Sequence, residues 1–490
     1  MISDQLPKWL VHLTDLILKI KIPQSILSSI GAPSPFLFAV VGCAAGVIPL
    51  CLIQKVNQGL GYDGVKYAGW AKDFHRMVFE QRLDFYFAHR ILPSAIIHYG
   101  FRLLNIPLID LNIGRAFALV NIFSLSLLGY LWGHLSRDLR FSPQQMWLGA
   151  CMFFLNTPVL VWAPMIPVQH DILAYVIGTL LIYFHVSENP IGLCVTAIVS
   201  FFTWPTGIVL GAILFIFPRK MKDANRDRPL KYPINIVLCA FAIVVVVAIF
   251  NKYRTIDAFS LALDPLKQWY WVSLGITVLY IYFAGAPLLA YDSLYDLREW
   301  NKYGVFRRLL EVGASMTLIT IVERTFLFPM VGEQKRFPIF GMVLSLPGKL
   351  VMTSVAQPGV FLVAHIVYFG PWVILAIVHW KSVCRQIHSL GVGITVCACF
   401  SLVFSIFSES RCWMNFVAFW IPAVVAATAD GNRKAPSFWK FAFLSLAFIN
   451  LIFLNPEYAP FHGPWMHSET YVPNAIAALF GFFFLALSGS

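Results

Sequence analysis

Runs of about twenty predominantly apolar residues recur along this chain from Pro35 onward, and they constrain its fold more than any other feature. Wound as a helix, a run of that length matches the thickness of a bilayer's hydrocarbon core. The runs fall at 36–56, 115–134, 146–162, 171–187, 232–250, 269–290, 309–328, 358–380, 389–407, 412–429, 438–454 and 472–488. Another apolar stretch, 190–217, is interrupted by Trp204-Pro205-Thr206-Gly207. Of the 490 residues, 59% are hydrophobic and 12% charged, with mean hydropathy +0.72; soluble domains carry roughly 25% charged residues. The expected fold is all-α, a polytopic transmembrane helical bundle of about 12 spans plus a re-entrant helix pair. Short connectors make it one domain over 1–490.

The formal charge of +12 comes from 36 Lys and Arg against 24 Asp and Glu. A nucleic-acid partner would need those cations gathered on one soluble face. They stand instead in connectors between apolar runs, where excess Lys and Arg marks the cytoplasmic side. Arg137, Arg140, the 219–231 cluster, Arg298 to Arg308, Lys381, Arg385, Arg433 and Lys434 share one side only if 190–217 enters and leaves on the same face. A Pro-Gly break making two half-helices does this, and irregular backbone at that depth has to be buried in protein or line a cavity. The alternative is one Pro-kinked helix with an exception to the charge rule. On the re-entrant reading both termini are cytoplasmic. The outer side then holds a long loop at 57–113, loops at 329–357 and 455–471, and short segments at 163–170, 251–267 and 408–411. No signal peptide is expected, because a polar leader with Lys8, Lys19 and Lys21 precedes the first run. The nine Cys form no CxxC pair and read as small apolar core residues. Walker, HExxH, GxSxG and CxxCH patterns and transporter-like repeats are absent from the sequence.

The long outer loop opens Asn57-Gln58-Gly59-Leu60-Gly61-Tyr62-Asp63-Gly64. Flanking glycines let the chain turn and leave the Asp63 carboxylate unshielded. Tyr67, Trp70, Ala71, Phe74, Met77 and Val78 then fall on one helical stripe, with Lys66, Lys72, Asp73, Arg76 and Glu80 off it. Such a helix suits the headgroup layer of a membrane. The string Tyr86-Phe87-Ala88-His89-Arg90-Ile91-Leu92-Pro93-Ser94 follows. Asp63 can take a proton from an attacking hydroxyl, or simply cap its helix. His170 and Asp171 stand at the mouth of the fourth run, costly there unless they serve a site or find partners, though Asp171 can equally be a cap. The turn Ser408-Glu409-Ser410-Arg411 needs no charge to form. Arg411 there offers a fork of donors to a phosphate, with Glu409 holding it, or else snorkels to water. Arg336 and Lys349 read as solvated loop residues more than as phosphate contacts. His462 and His467 make a poor metal site, and His365 and His379 are assigned no role.

One span followed by a long outer loop with an early Asp and an amphipathic helix resembles the GT-C glycosyltransferase superfamily. The strings GYDGxxY at 61–67 and RILPS at 90–94 are similar to enzymes that use polyprenyl- or dolichyl-phosphate sugars. Residues 203–207 resemble an RPTG string, except that Trp204 stands where Arg is common, and the segment reads as structural more than functional. The E-x-R pattern at 409–411, with Pro422 following, is similar to a late-helix signature of several members. Motif-level similarity covers about 57–95, 163–171, 203–207 and 408–422.

The resemblance implies inverting transfer of a sugar from a polyprenyl-phosphate donor to a hydroxyl acceptor on the periplasmic or lumenal face. Asp63 would be the base and Asp171 a second acidic position, with Arg411, Glu409, His170, Arg90 and Tyr62 binding substrate. No cofactor is assigned, and a divalent cation is left open. The implied partners are the lipid-linked donor, a glycan, lipid or protein acceptor, and membrane lipids, without nucleic acid. The expected location is a bacterial inner membrane, or the ER membrane in a eukaryote. Two other readings stand beside this one: a secondary transporter built on the broken 190–217 segment, and a lipid-linked glycan polymerase or ligase.

Overall fold

The computed structural model describes residues 33–53, 55–61, 63–80, 85–220, 297–327, 359–406 and 410–428, with isolated positions at 441–449 and at 481. Among the described residues all regular structure is helical. Of the longer helices, the first four are α1 (Pro35–Leu52), α2 (Asp63–Lys72), α3 (Leu92–Leu103) and α4 (Asp110–Asp138). Next come α5 (Pro143–Phe154), α6 (Asp171–Val186), α7 (Pro190–Phe201), α8 (Thr206–Ile216) and α9 (Val305–Val322). Then follow α10 (Val360–Phe369), α11 (Trp372–Val378), α12 (Trp380–Leu390), α13 (Val392–Phe404) and α14 (Met414–Ala427).

Among the described residues three segments are long and apolar enough to cross a bilayer: Pro35–Leu52, Asp110–Asp138 and Ser410–Ala427. A fourth exists if α5 and Pro158–Met165 are one span bent by 51°. That is fewer than the twelve or so expected. The runs at 232–250, 269–290, 438–454 and 472–488 lie wholly or largely outside the described residues. The others are fewer because an apolar run is not one straight helix. At the α5 break, Asn156 Nδ2 donates to the carbonyls of Met152 (3.1 Å) and Phe153 (2.8 Å), while its Oδ1 accepts from Val159 N (3.1 Å). A side chain that satisfies backbone groups left open by the helix makes such a bend tolerable away from water. The 358–380 run divides at Gly370-Pro371 into α10 and α11, Gly370 having φ +91°. The 389–407 run starts late, after Gly391, leaving α13.

The 190–217 stretch is two short helices folded back on each other. Gly207 faces Ser200 and Gly211 faces Ala197, so α7 and α8 run antiparallel, and Ser200 Oγ donates to the Trp204 carbonyl at 2.6 Å. Helices of 12 and 11 residues are each about 17 Å long, roughly half a hydrocarbon core.

Two close contacts organise the bundle. α1 and α4 pack antiparallel, with Pro35 against Gly133, Phe38 against Gly129 and Gly42 against the Leu125 carbonyl. A Cβ at Gly42 would collide with that carbonyl, so small residues let the two backbones touch. α6 is central, bounded by α4, α7, α8 and α14, and its Gly178 lies directly on the Asn415 backbone. Trp132, Phe153, Tyr175, Phe416 and Trp420 fill the core around it.

The expected amphipathic stripe is present but faces the protein. Tyr67, Trp70, Ala71, Phe74 and Val78 are buried, while Lys66, Lys72, Arg76 and Glu80 are exposed. The stripe packs with Phe87, Ile97, Ile113, Phe117 and Val168. The protein's own α3 and α4, not lipid, cover it, which corrects the headgroup-helix expectation. Ser94 Oγ donates to the Tyr67 carbonyl and His98 Nδ1 to the Ala71 carbonyl, each at 2.9 Å, fixing α2 on α3. Among the cysteines, Cys151, Cys384 and Cys397 are buried as expected, but Cys51 and Cys194 are exposed.

Candidate functional site

Asp63 and Asp171 are each the first residue of a helix, α2 and α6 respectively. A carboxylate at that position is stabilised as an anion by the helix dipole. The loop before Asp63 lies on the loop before Asp171. Gly59 sits against Pro167 and Gly64 against Val168; a Cβ on Gly61 would fall 2.7 Å from Ile166 Cδ1. Asn121 of α4 holds the lower loop by donating to the Pro167 carbonyl at 2.9 Å. The glycines therefore do more than turn the chain, since they let two helix N-termini meet.

Arg411 arrives from the other end of the sequence, on the 3-10 turn Ser410–Trp413 that leads into α14. Its Nη2 donates to Asp63 Oδ2 at 3.0 Å, and its Nε lies 3.9 Å from Asp171 Oδ1. The first is a charge-assisted hydrogen bond; the second is a looser electrostatic contact. The three side chains are 16% (Arg411), 28% (Asp63) and 6% (Asp171) exposed, so the cluster is open on the Asp63 side.

A second cation lies behind the first. Arg90 is 5% exposed, and its Nη1 donates to Tyr67 Oη at 3.2 Å. Its guanidinium lies over the Trp204 ring at 4.3 Å, a cation–π arrangement. Trp204 stands where the resembling family commonly has Arg, and here it is the platform for an arginine supplied by another segment. Thr206, in the same break, accepts a 2.7 Å hydrogen bond from Asn415 Nδ2, which ties the α7–α8 hairpin to α14.

His170 is sandwiched, stacked on Tyr67 (centroids 4.0 Å apart) and facing Phe117 (6.0 Å). Burial, then the Arg90 and Arg411 charges, hold its pKa well below the ordinary histidine value. The imidazole is therefore neutral near pH 7 and is no counter-ion for phosphate. Burial raises the Tyr67 hydroxyl, Arg90 opposes that shift and Asp63 adds to it.

Of the residues expected at the site, Asp63, Asp171, Arg411, His170 and Arg90 converge, directly or through Tyr67. Tyr62 and Glu409 lie outside the described residues, as does the 329–357 loop with Arg336 and Lys349. Tyr67 and Asn415 were not singled out as site residues, Tyr67 because it sits on an apolar stripe. Asn415 carries a weak signal, an amide at the start of an apolar helix. A buried pair outside the cluster, His89 Nε2 and Glu323 Oε1 at 3.3 Å, joins the turn before α3 to the end of α9. Among the described residues no His, Cys, Asp and Glu group is arranged to hold a metal ion. No protein-family model, curated protein or solved structure matches the chain.

Proposed function

We propose that this chain is an integral membrane glycosyltransferase of the GT-C type. It moves a sugar from a polyprenyl-phosphate donor to a hydroxyl acceptor on the outer face of the membrane. The observation that carries the reading is the Arg411 guanidinium set between the Asp63 and Asp171 carboxylates, brought together from three distant parts of the sequence. The reading includes a bundle of about a dozen spans, a re-entrant α7–α8 pair and cytoplasmic termini, in a bacterial inner membrane or the ER membrane.

The chemistry follows from the cluster. The donor's phosphate competes for Arg411 and draws the guanidinium away from Asp63. Asp63, partly exposed and freed of its cation, accepts the proton of the acceptor hydroxyl as that oxygen attacks the anomeric carbon. The bond from that carbon to the phosphate oxygen breaks, and Arg411 stabilises the charge gathering on the departing phosphate. A single displacement inverts the anomeric centre. Asp171, nearly buried and anchored at the N-terminus of α6, keeps the guanidinium from leaving with the phosphate.

The antiparallel α7–α8 hairpin, with its buried Thr206–Asn415 contact, favours a second reading as a secondary transporter. One experiment separates the two. Purified protein in nanodiscs is offered a panel of polyprenyl-phosphate sugars with an envelope extract as acceptor, comparing wild type with Asp63→Asn. Transfer by wild type that Asp63→Asn abolishes, with donor binding retained, supports the enzyme. A wild-type protein that neither binds nor consumes any donor removes the proposal and leaves transport.

A further inference from the structure

We infer that His365 is a positioning residue for Arg411, stapling the turn that presents its guanidinium. Its catalytic consequence rests on the sugar-transfer reading, but its geometry does not. His365 lies in α10 and is 2% exposed. Its Nε2 is 2.7 Å from the Ser405 carbonyl, which can only accept, so Nε2 carries the hydrogen. In the neutral ring Nδ1 is then an acceptor, and the Ser410 hydroxyl donates to it at 2.9 Å. Ser405 immediately follows α13 as its cap, and Ser410 immediately precedes Arg411. One imidazole thus grips both ends of the connection between α13 and α14.

The ring itself is held. It stacks on Trp413 at 5.1 Å and 18°, and Trp413 stacks on Trp372 of α11 at 5.9 Å and 12°. Trp413 Nε1 donates to the Ser401 carbonyl at 3.0 Å. Both nitrogens and one face of the imidazole are therefore engaged by groups on two other elements, the end of α13 and the Ser410–Trp413 turn. This matters because a long arginine side chain forfeits rotamer freedom when it is held in one place. A guanidinium that must meet charge appearing only as a bond breaks needs its support in place beforehand. A displacement of about 1 Å can cost a hundredfold in rate.

Two variants divide the staple. His365→Gln keeps an amide donor near Nε2 and loses the Ser410 bond, whereas His365→Asn keeps an acceptor near Nδ1 and loses the Ser405 bond. The first test needs no substrate. Thermal unfolding of the full chain in nanodiscs gives the drop caused by Arg411→Gln in the wild-type and His365→Gln backgrounds. If His365 holds Arg411 on Asp63, that drop shrinks to about half or less in the His365→Gln background. Additive drops overturn the inference. In the second test, binding of sugar-free polyprenyl phosphate weakens about tenfold in His365→Gln, and His365→Asn recovers most of the loss. A folded His365→Gln protein that binds this probe as wild type does also overturns it. If wild type binds no polyprenyl phosphate, the sugar-transfer reading fails and the unfolding cycle alone decides the staple.

Discussion

Replacing Arg411 by Gln and Asp63 by Asn should rank in opposite orders for stability and for activity. Arg411→Gln removes one charge-assisted hydrogen bond at 3.0 Å and one looser contact at 3.9 Å, and leaves two carboxylates facing each other. A hydrogen bond to a charged group contributes about 1.5–3 kcal/mol. Water reaches Asp63 and screens the pair, which argues for the lower end, and the stranded Asp171 pushes the figure back up. The expected cost is about 2 kcal/mol. Asp63→Asn keeps an acceptor for Arg411 and leaves Asp171 as its counter-ion, so the expected cost is under about 1 kcal/mol. Thermal unfolding in nanodiscs, followed by tryptophan fluorescence, reads both. Sugar transfer should invert the order. Asp63→Asn abolishes turnover, and Arg411→Gln slows it by roughly two to three orders of magnitude, the range for losing one preorganised charge donor. An Asp63→Asn protein less stable than Arg411→Gln would refute the shared-cation geometry. An active one would refute the base.

Three further outcomes follow from the site. Because the folded-state pKa of His170 is depressed, its contribution to stability is present above the unfolded value of about 6.5 and is lost as pH falls below it. Melting curves between neutral and mildly acidic pH should decline more steeply for wild type than for His170→Phe. Trp204→Leu removes the ring beneath Arg90 and should cost about 2–4 kcal/mol in cavity and cation–π terms, whereas Trp204→Phe recovers most of it; chemical denaturation in detergent checks the order. Thr206→Val leaves the buried Asn415 amide without its 2.7 Å acceptor and should cost about 1–3 kcal/mol, against little for Thr206→Ser in the same melts.

The helical class and the charged members of the site were legible in the sequence for one physical reason. Charge is expensive beside an apolar run, so Asp171 and Arg411 stand out at run ends, Asp63 stands out between flanking glycines in the outer loop, and those three side chains meet. Their helix-capping alternative was not a rival, because Asp63 and Asp171 both open helices and both face the same arginine. Among the described residues, straight spans are fewer than the apolar runs because hydropathy registers composition and not continuity. Asn156, Gly370 and Gly391 interrupt apolar stretches whose average stays high. The partner of the Tyr67–Val78 stripe was illegible, since a stripe shows that a face is covered but not by what. His365 and Asn415 lay inside apolar runs, where only three-dimensional proximity to Ser410 and Thr206 gives them a role.

The antiparallel α1–α4 contact has a consequence for how the chain can be altered. α1 ends and α4 begins at the same end of one tightly joined stem, so residues 53–109, including Asp63, Arg90 and His98, form an excursion whose two feet are clamped together. The entropic cost of bringing those feet together is met by the stem and grows only slowly with length, by about 0.6 kcal/mol per doubling. The excursion is thus a cassette. Turns away from its contacts can be lengthened with little effect on the bundle, so long as the Gly59–Gly64 seat on Ile166 to Val168, the Asp63–Arg411 bond and the Arg90–Trp204 contact are kept. On the proposed sugar-transfer reading, new acceptor specificities would be sought first by varying this segment, with the stem left untouched.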